Sequence, residues 1–283
     1  DHFTFKVPGY QYHPLFKSKV WSGYIHLFST SRHTLYAGLR STVESFAKER
    51  EYEVVYTEQS LEKEYSLVEG KAFVDTLKLP FEVRDYQLSA FVKCVRTGRR
   101  LVLSPTASGK SLIIYLLYKY YGVKTLLVVP TVNLVLQMHS DFVSYGGDAE
   151  EYHKVFAGED KDTDKKLVIS TWQSLHKLSK EYYEPYKLVM IDEAHGAKAK
   201  ALKDIMEKMV NCHNRFGFTG TLDGTETHLL VLTGLFGKLL KAATTSELID
   251  QKHLSPFEIK TILLRHSEIN SKLVKKVPYA DEI

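Results

Sequence analysis

The stretch LVLSPTASGKS, residues 101–111, decides the fold. Its apolar start is typical of a buried strand, small residues follow, and Gly109, Lys110 and Ser111 open a helical pattern. In such a loop, successive backbone N–H groups can face phosphate oxygens, while the lysine and the hydroxyl can reach the terminal phosphates and a Mg²⁺ ion. Ser104 stands where the full phosphate-loop pattern has glycine. An ordinary strand-to-helix turn therefore stays open as an alternative at this point.

Short apolar runs alternate with longer amphipathic stretches on both sides of this loop. The predicted strands are Leu101–Leu103, Leu126–Val129, Leu167–Ser170, Leu188–Ile191 and Phe216–Thr219. The predicted helices are Gly109–Tyr121, Asn133–Ser144, Gln173–Leu178 and Ala199–Val210. This alternation predicts an α/β fold, in which a mostly parallel sheet is covered by helices on both faces. Ligands of such sheets bind beyond the carboxyl ends of the strands.

A second motif, VMIDEAH, ends another of these strands at residues 189–195. Two adjacent acids at a strand end lie in the same crevice as the phosphate loop, so we expect Asp192 to hold Mg²⁺ together with Ser111. We expect Glu193 to orient and polarise the attacking water. A strand end that merely meets solvent would not explain why the loop and the acids occur together. The pair predicts nucleotide hydrolysis, with Lys110, Asp192 and Glu193 as the catalytic residues.

Composition excludes several other classes of protein. The chain has 283 residues, a formal net charge of +4, 44% hydrophobic residues and 25% charged residues, as globular domains do. Two cysteines cannot form a disulfide framework, which favours a reducing compartment. Uncharged apolar runs of about 18 residues are missing, so we expect no membrane association and a cytoplasmic location, inside the host cell if the protein belongs to a phage. The chain lacks an initiator methionine, and we expect it to be trimmed.

The first 43 residues are basic and rich in aromatic side chains, whereas residues 44–80 are acidic overall. We expect a strand at Tyr24–Phe28, a helix over Leu35–Lys48, a second strand at Glu53–Tyr56 and a helix-like stretch over Gln59–Leu79. Residues 1–79 are thus predicted to form a small α/β domain with a linker helix. Basic and aromatic side chains can attract phosphate and stack on bases. A small core with solvated lysines is the competing interpretation.

The chain resembles the superfamily 2 helicases, whose motifs occur here in the same order. The matching stretches are RDYQ (84–87), SPTASGKS (104–111), PTVNLVLQ (130–137), TWQSL (171–175), DEAH (192–195) and TGT (219–221). Longer stretches are similar to the UvsW-type recombination helicases of bacteriophages, among them GYQYHPLFKSKVWSGYIHL (9–27) and GLFGKLLKAATTSELI (234–249). The likeness covers nearly the whole chain.

The resemblance implies an ATP-driven enzyme with a RecA-like sheet that uses Mg²⁺. Its implied partners are single-stranded, double-stranded or branched DNA, including forks, displacement loops, R-loops and Holliday junctions, and RNA within RNA–DNA hybrids. For ATP, it assigns base recognition to Arg84 and Gln87. It assigns the phosphates to a cradle formed by Thr106, Ala107, Ser108, Gly109, Lys110 and Ser111.

The same resemblance implies two further groups of residues. His195, Thr219 and Thr221 would couple hydrolysis to DNA movement, since imidazole and hydroxyl groups can relay hydrogen bonds. The DNA contacts would come from Thr131 and Thr171, and from Lys17, Lys19, Trp21 and Arg32 in the front domain. A capping role for the threonines stays open, as does a core position for tryptophan.

A superfamily 2 motor has two RecA-like lobes, and too few residues follow Thr221 for a second one. We therefore expect a first RecA-like lobe over residues 80–255 and a hinge segment over residues 256–283 that leads to an absent second lobe. Such a fragment would hydrolyse ATP poorly alone. The alternatives are an RNA helicase, a restriction-type DNA translocase, or a nucleic-acid-binding module with an inactive ATP site.

Overall fold

A computed structural model describes residues 2–56, 62–156, 160–161, 163–195, 199–222, 226–256 and 260–262. Its strands are β1 (Thr4–Lys6), β2 (Tyr24–His26), β3 (Phe28–Ser29), β4 (Thr34–Leu35), β5 (Arg99–Leu103), β6 (Thr125–Val129), β7 (Tyr152–Val155), β8 (Leu167–Thr171), β9 (Leu188–Ile191), β10 (Asn214–Thr219) and β11 (Leu239–Lys241). Its α-helices are α1 (Pro14–Lys17), α2 (Arg40–Lys48), α3 (Leu67–Thr76), α4 (Asp85–Thr97), α5 (Lys110–Tyr121), α6 (Val132–Ser144), α7 (Trp172–Leu175), α8 (Lys180–Tyr183), α9 (Ala199–Lys208), α10 (Glu226–Phe236) and α11 (Thr245–Asp250).

Strands β5 to β11 form one sheet, in the order β11-β5-β10-β9-β6-β8-β7, and every neighbouring pair is parallel. Strands β6, β8 and β9 are buried along their whole length. Side chains that alternate along each strand enter two separate cores. Leu127 and Met190 pack with α4, α5 and α6, whereas Leu126 and Val189 pack with α7 to α10. The predicted parallel sheet with helices on both faces is thereby confirmed.

The two edge strands, β7 and β11, were not predicted. Each is short, and the sequences YHKV and LLK contain charged residues that interrupt the apolar pattern. β7 pairs with β8 and β11 pairs with β5 because the fold places them side by side, and the local sequence does not reveal this. The prediction of a strand at Glu53–Tyr56 was wrong, because these residues pair with no strand in the described part of the chain, and Val55 is 75% exposed. A strand needs a partner for its backbone groups.

The helix-like stretch over Gln59–Leu79 holds a shorter helix, α3. Ser66 caps it: its hydroxyl accepts a hydrogen bond from the Glu69 amide, and the Glu69 carboxylate accepts one from the Ser66 amide. Residues 59–61 of that prediction lie outside the described residues. Among the described helices, none has both the length and the apolar character needed to cross a membrane.

The front segment contains two small antiparallel pairs, β1 with β2 and β3 with β4, so the predicted strand at Tyr24–Phe28 is divided in two. A 3-10 turn at Ala37–Leu39 docks this segment on α10. Gly38 touches the α10 backbone so closely that an added Cβ atom would overlap the carbonyl oxygen of Thr233. Beside it, the Tyr36 hydroxyl donates a 2.6 Å hydrogen bond to Glu207 on α9.

Candidate nucleotide site at the strand ends

Three loops meet at the carboxyl edge of the sheet, because β10 lies between β5 and β9. The Ser104 amide donates a 2.9 Å hydrogen bond to the Thr219 carbonyl, and the Ala194 amide donates one of equal length to Phe218. The phosphate loop, the DEAH segment and the TGT segment are thus fixed side by side. The sequence predicts this convergence from the positions of the motifs after parallel strands.

The loop after β5 is shaped by left-handed backbone at two positions, Ala107 with φ 62° and Gly109 with φ 77°. The left-handed φ of Gly109 favours glycine, and an added Cβ atom there would come within 2.4 Å of the Gln87 side-chain nitrogen. The Ser108 hydroxyl donates to the Pro105 carbonyl at 2.6 Å, so the Ser104 hydroxyl, 2.6 Å away, is the donor to Ser108. The serine at the first position therefore adds a buried bond that glycine could not make.

Lys110 and Glu193 form an ion pair across the site, with 2.9 Å between Nζ and Oε1. Only 10% of the lysine side chain and 29% of the glutamate side chain is exposed. Glu193 adopts a left-handed backbone conformation with φ 50°, which is strained for a residue with a side chain. The cation suited to phosphate and the carboxylate suited to activate water thus neutralise each other directly.

Asp192 is 5% exposed, and its Oδ1 atom is buried without a hydrogen-bond partner among the described residues. Burial raises the pKa of this carboxyl to about 6, against the opposing effect of the Lys110 charge. A buried carboxylate oxygen with no donor facing it fits a hard cation, and oxygen ligands are those that Mg²⁺ prefers. Asp192 therefore fits the magnesium site predicted for it with Ser111.

His195, Thr219 and Thr221 form a hydrogen-bonded chain beside Glu193. The Thr219 hydroxyl donates to the Thr221 carbonyl at 2.6 Å, and the His195 Nδ1 atom lies 2.6 Å from the same hydroxyl. Because that hydroxyl has a single proton, Nδ1 is the donor to it. Nδ1 also lies 3.4 Å from Glu193 Oε2. The predicted coupling residues are therefore brought into contact with the acid that would act on water.

Arg84 and Gln87 lie behind the phosphate loop. The side chain of Gln87 is buried. Its NH₂ group donates a 2.9 Å hydrogen bond to the Ser108 carbonyl, and its oxygen accepts one from the backbone N–H of Arg84. Tyr86, which the sequence reasoning missed, donates a 2.6 Å bond to that carbonyl and accepts one from the Arg84 guanidinium. Its place in RDYQ was the available signal. These residues link the start of α4 to the loop backbone.

The candidate DNA residues are placed in different surroundings. Thr131 is exposed and caps α6, where its hydroxyl accepts from the Leu134 amide. Thr171, on the neighbouring strand, is buried, and its hydroxyl lies 3.1 Å from that of Ser174. The DNA role of both threonines stays a prediction.

In the front segment, Lys17, Lys19 and Trp21 line one open cleft of about 760 Å³. The Trp21 indole N–H donates to the Tyr24 carbonyl at 2.8 Å, so its ring is held in a fixed position. Arg32 lines a different cleft, between the front segment and α9. Three of the four predicted front residues are thus brought together.

Two family models match separate parts of the chain. A family model described as the res subunit of type III restriction enzymes matches residues 80–224. A second, described as the N-terminal part of the DNA helicase UvsW, matches residues 1–57. Of the curated relatives, the ATP-dependent DNA helicase UvsW of Enterobacteria phage T4 is 31% identical over the whole chain, which spans 59% of that protein. The DNA 3'-5' translocase XPB2 of Sulfurisphaera tokodaii is 24% identical over 76% of the chain, which spans 47% of it.

Two solved structures of the T4 protein resemble this chain over most of its length. One of them is 30% identical, and the match spans 84% of this chain and 90% of the chain in that structure, with a TM-score of 0.77. The other is 29% identical, and the match spans 99% of this chain and 58% of the chain in that structure, with a TM-score of 0.78. The RecA-like fold expected from the sequence is confirmed by these matches. The chain belongs to the superfamily 2 helicases, in the family of UvsW-type DNA helicases.

Proposed function

We propose that this chain is the nucleotide-binding and substrate-contacting part of an ATP-dependent DNA helicase or translocase that acts on branched DNA. The observation that carries the proposal is the meeting of Lys110, Glu193 and an Asp192 oxygen that has no hydrogen-bond partner among the described residues, at one edge of the sheet. The surrounding loop supplies backbone N–H groups at the start of α5. Residues 1–79 form the substrate domain, residues 80–255 the first lobe and residues 256–283 the hinge to a second lobe. The protein would work in the cytoplasm, which is that of the host cell if the protein belongs to a phage.

In this proposal each residue has a separate task. ATP with Mg²⁺ supplies the phosphoanhydride bond that is broken. The Lys110 ammonium and the loop amides stabilise negative charge, and Ser111 and Asp192 offer oxygen atoms to the metal. Glu193 accepts the proton of the attacking water at its carboxylate, and the bond between His195 and Thr219 transmits the change to the neighbouring strands.

The test is ATP turnover of the full-length gene product with forked DNA, Holliday junctions, linear duplex DNA, single-stranded DNA and single-stranded RNA. Branched DNA should stimulate turnover most. Stronger stimulation by RNA would instead indicate an RNA helicase, and equal stimulation by linear duplex would indicate a restriction-type translocase. The present chain alone should stay near background, since an arginine from a second lobe contributes about 10³–10⁵-fold in related phosphate chemistry. Strong DNA-stimulated turnover by this chain would contradict the view that catalysis needs an arginine from a second lobe.

Replacing both Lys17 and Lys19 with alanine should weaken junction-DNA binding. Each phosphate that a lysine neutralises steepens the dependence of log K on log salt by about 0.9 units, so the double variant should have a slope shallower by about 1.8 units. The measurement is a salt series of dissociation constants for the full-length protein. Lys71→Ala together with Lys93→Ala, two exposed lysines of α3 and α4, is the matched control. An unchanged affinity and slope in the Lys17/Lys19 variant would show that the front cleft does not contact DNA.

A further inference from the structure

The amino edge of the seven-stranded sheet, opposite the candidate nucleotide site, has a basic residue at or beside the start of six strands. In their order across the sheet these residues are Lys238 (β11), Arg99 (β5), Arg215 (β10), Lys187 (β9), Lys124 (β6) and Lys166 (β8). Arg215 and Arg99 pair in register. The Lys187 amide donates a 3.0 Å hydrogen bond to the Lys124 carbonyl. Because neighbouring strands lie about 4.8 Å apart, the cations line up along one edge.

Acids neutralise this line at one end only. Lys166 forms an ion pair with Glu151, with 3.0 Å between nitrogen and oxygen. At the other end, no ion pair with an acid is formed within the described part of the chain by Lys238, Arg99, Arg215 and Lys187. These four residues are called the basic row below. Its two lysines are exposed and its two arginines are half-buried.

The charges of the basic row are close to one another. The Arg99 Nε atom is buried and has no hydrogen-bond partner among the described residues. Burial, together with the Arg215 charge beside it, lowers the pKa of the Arg99 guanidinium to about 10. All members except Lys238 are also close enough to the Cys212 thiol to lower its pKa, against the larger effect of burial. Like charges that repel each other in this way would be relieved by a bound anion.

A structural role accounts for one member of the row. The Arg215 guanidinium donates hydrogen bonds of 2.6 to 3.0 Å to the carbonyl groups of Met206, Met209 and Cys212, at the end of α9. The ammonium groups of Lys187 and Lys238 make no such bonds to the residues that the structure describes. Capping of helix ends therefore leaves the two exposed lysines unexplained.

The dimensions and composition of the basic row fit a phosphodiester backbone. The row crosses three strand spacings, about 14 Å, and one strand of B-DNA carries about four phosphates over that length. Protein interfaces contain few lysines, whereas nucleic-acid backbones are bound mainly through lysine and arginine. A nucleic acid is therefore a better partner for this row than an acidic protein.

The basic row lies far from the other candidate DNA residues of the lobe. β5 runs from Arg99 in the row to Leu103 beside the phosphate loop, a rise of roughly 17 Å. Thr131 and Thr171 lie at the carboxyl ends of their strands, on the opposite edge of the sheet. DNA bound to the row is thus a different segment from DNA bound at the carboxyl edge.

We propose that the basic row binds the phosphate backbone of a second arm of branched DNA, while a first arm contacts the front cleft and the carboxyl edge. The proposal rests on the function proposed above. A branched molecule has arms that leave in different directions, so it can reach both edges of the sheet at once. A linear duplex as long as one arm cannot. The row should therefore contribute to the affinity for forks and junctions alone.

The test measures dissociation constants of the full-length protein over a salt series, for a forked DNA and for a linear duplex as long as one arm. Replacing both Lys187 and Lys238 with alanine should make the slope of log K against log salt shallower by about 1.8 units for the fork, since each phosphate contact contributes about 0.9 units. The slope for the linear duplex should not change. Replacing both lysines with glutamate should weaken fork binding further.

The double variant Lys71→Ala with Lys93→Ala is the matched control and should leave both slopes unchanged. A thermal melt shows that each variant is folded, as expected when exposed lysines are replaced. Unchanged fork affinity and slope in the alanine and glutamate variants would overturn the proposal and favour an acidic protein as the partner of the row. Equal losses with fork and duplex would overturn it too, because the row would then contact the first arm.

The unaltered protein tests the proposed function separately. If it bound the fork no more tightly than the linear duplex, action on branched DNA would be refuted. A preference for the fork that the variants leave intact would refute only the role of the basic row.

Discussion

Replacing Lys110 with alanine should reduce ATP turnover of the full-length protein by about 10²–10³-fold, the usual loss when one group that stabilises transition-state charge is removed. The ammonium is the cation that the structure places within 2.9 Å of Glu193, at the start of α5. Without it, nothing in the loop except backbone N–H groups would oppose the charge that develops on the phosphate. The measurement is steady-state phosphate release with saturating branched DNA.

Lys119→Ala provides the control, because Lys119 lies at the far end of the same helix. It should keep turnover within about 2-fold, as expected of a surface change. A thermal melt of each variant excludes unfolding as the cause. Near-normal turnover in a folded Lys110→Ala protein would show that the loop after β5 does not bind the transferred phosphate.

Gly38→Ala should destabilise the protein by about 2–3 kcal/mol, in the range of overpacked sites. The new methyl group would overlap the Thr233 carbonyl oxygen and approach the Gly234 carbonyl oxygen to 2.6 Å and the Gly237 nitrogen to 2.7 Å. These are backbone atoms, which cannot turn aside as a flexible side chain could. For a domain of this size the midpoint of thermal unfolding should fall by roughly 5–10 °C.

Tyr36→Phe tests the same interface without adding volume. It removes only the hydrogen bond to Glu207, a half-exposed partner, so the loss should stay at about 1 kcal/mol. Hydrogen exchange at the amides of α10 should rise in Gly38→Ala and stay nearly unchanged in Tyr36→Phe. A Gly38→Ala protein that melts like the unaltered one would show that the front segment does not press on α10.

The central part of the sheet could be predicted because strands buried on both faces are continuous apolar runs. β8 and β9 were found to within a residue for that reason. Edge strands carry a weaker signal, and β7 and β11 depend on tertiary pairing. Conversely, Val54 and Val55 have the composition of a strand but find no partner among the described residues. A strand-like composition does not by itself provide a neighbouring strand for the backbone hydrogen bonds.

The candidate site shows the same division. Lys110, Asp192 and Glu193 follow strand ends, so chain order was enough to predict that they would converge. The contact between the Ser111 and Tyr145 hydroxyls, 2.8 Å apart, could not be predicted in the same way, because Tyr145 follows no strand end and belongs to none of the assigned motifs. It arises only from the packing of α6 against α5.

The docking of the front segment also affects how its role can be studied. Leu39 is completely buried, and Tyr36 packs against the core cluster that includes Leu235 and Phe236 of α10. Removing residues 1–56 would bare this apolar face to solvent, and exposed faces of that kind favour self-association. A truncated protein should be less soluble and form oligomers at high concentration, whatever its affinity for DNA. Point substitutions in the front cleft are therefore the cleaner way to separate solubility from recognition.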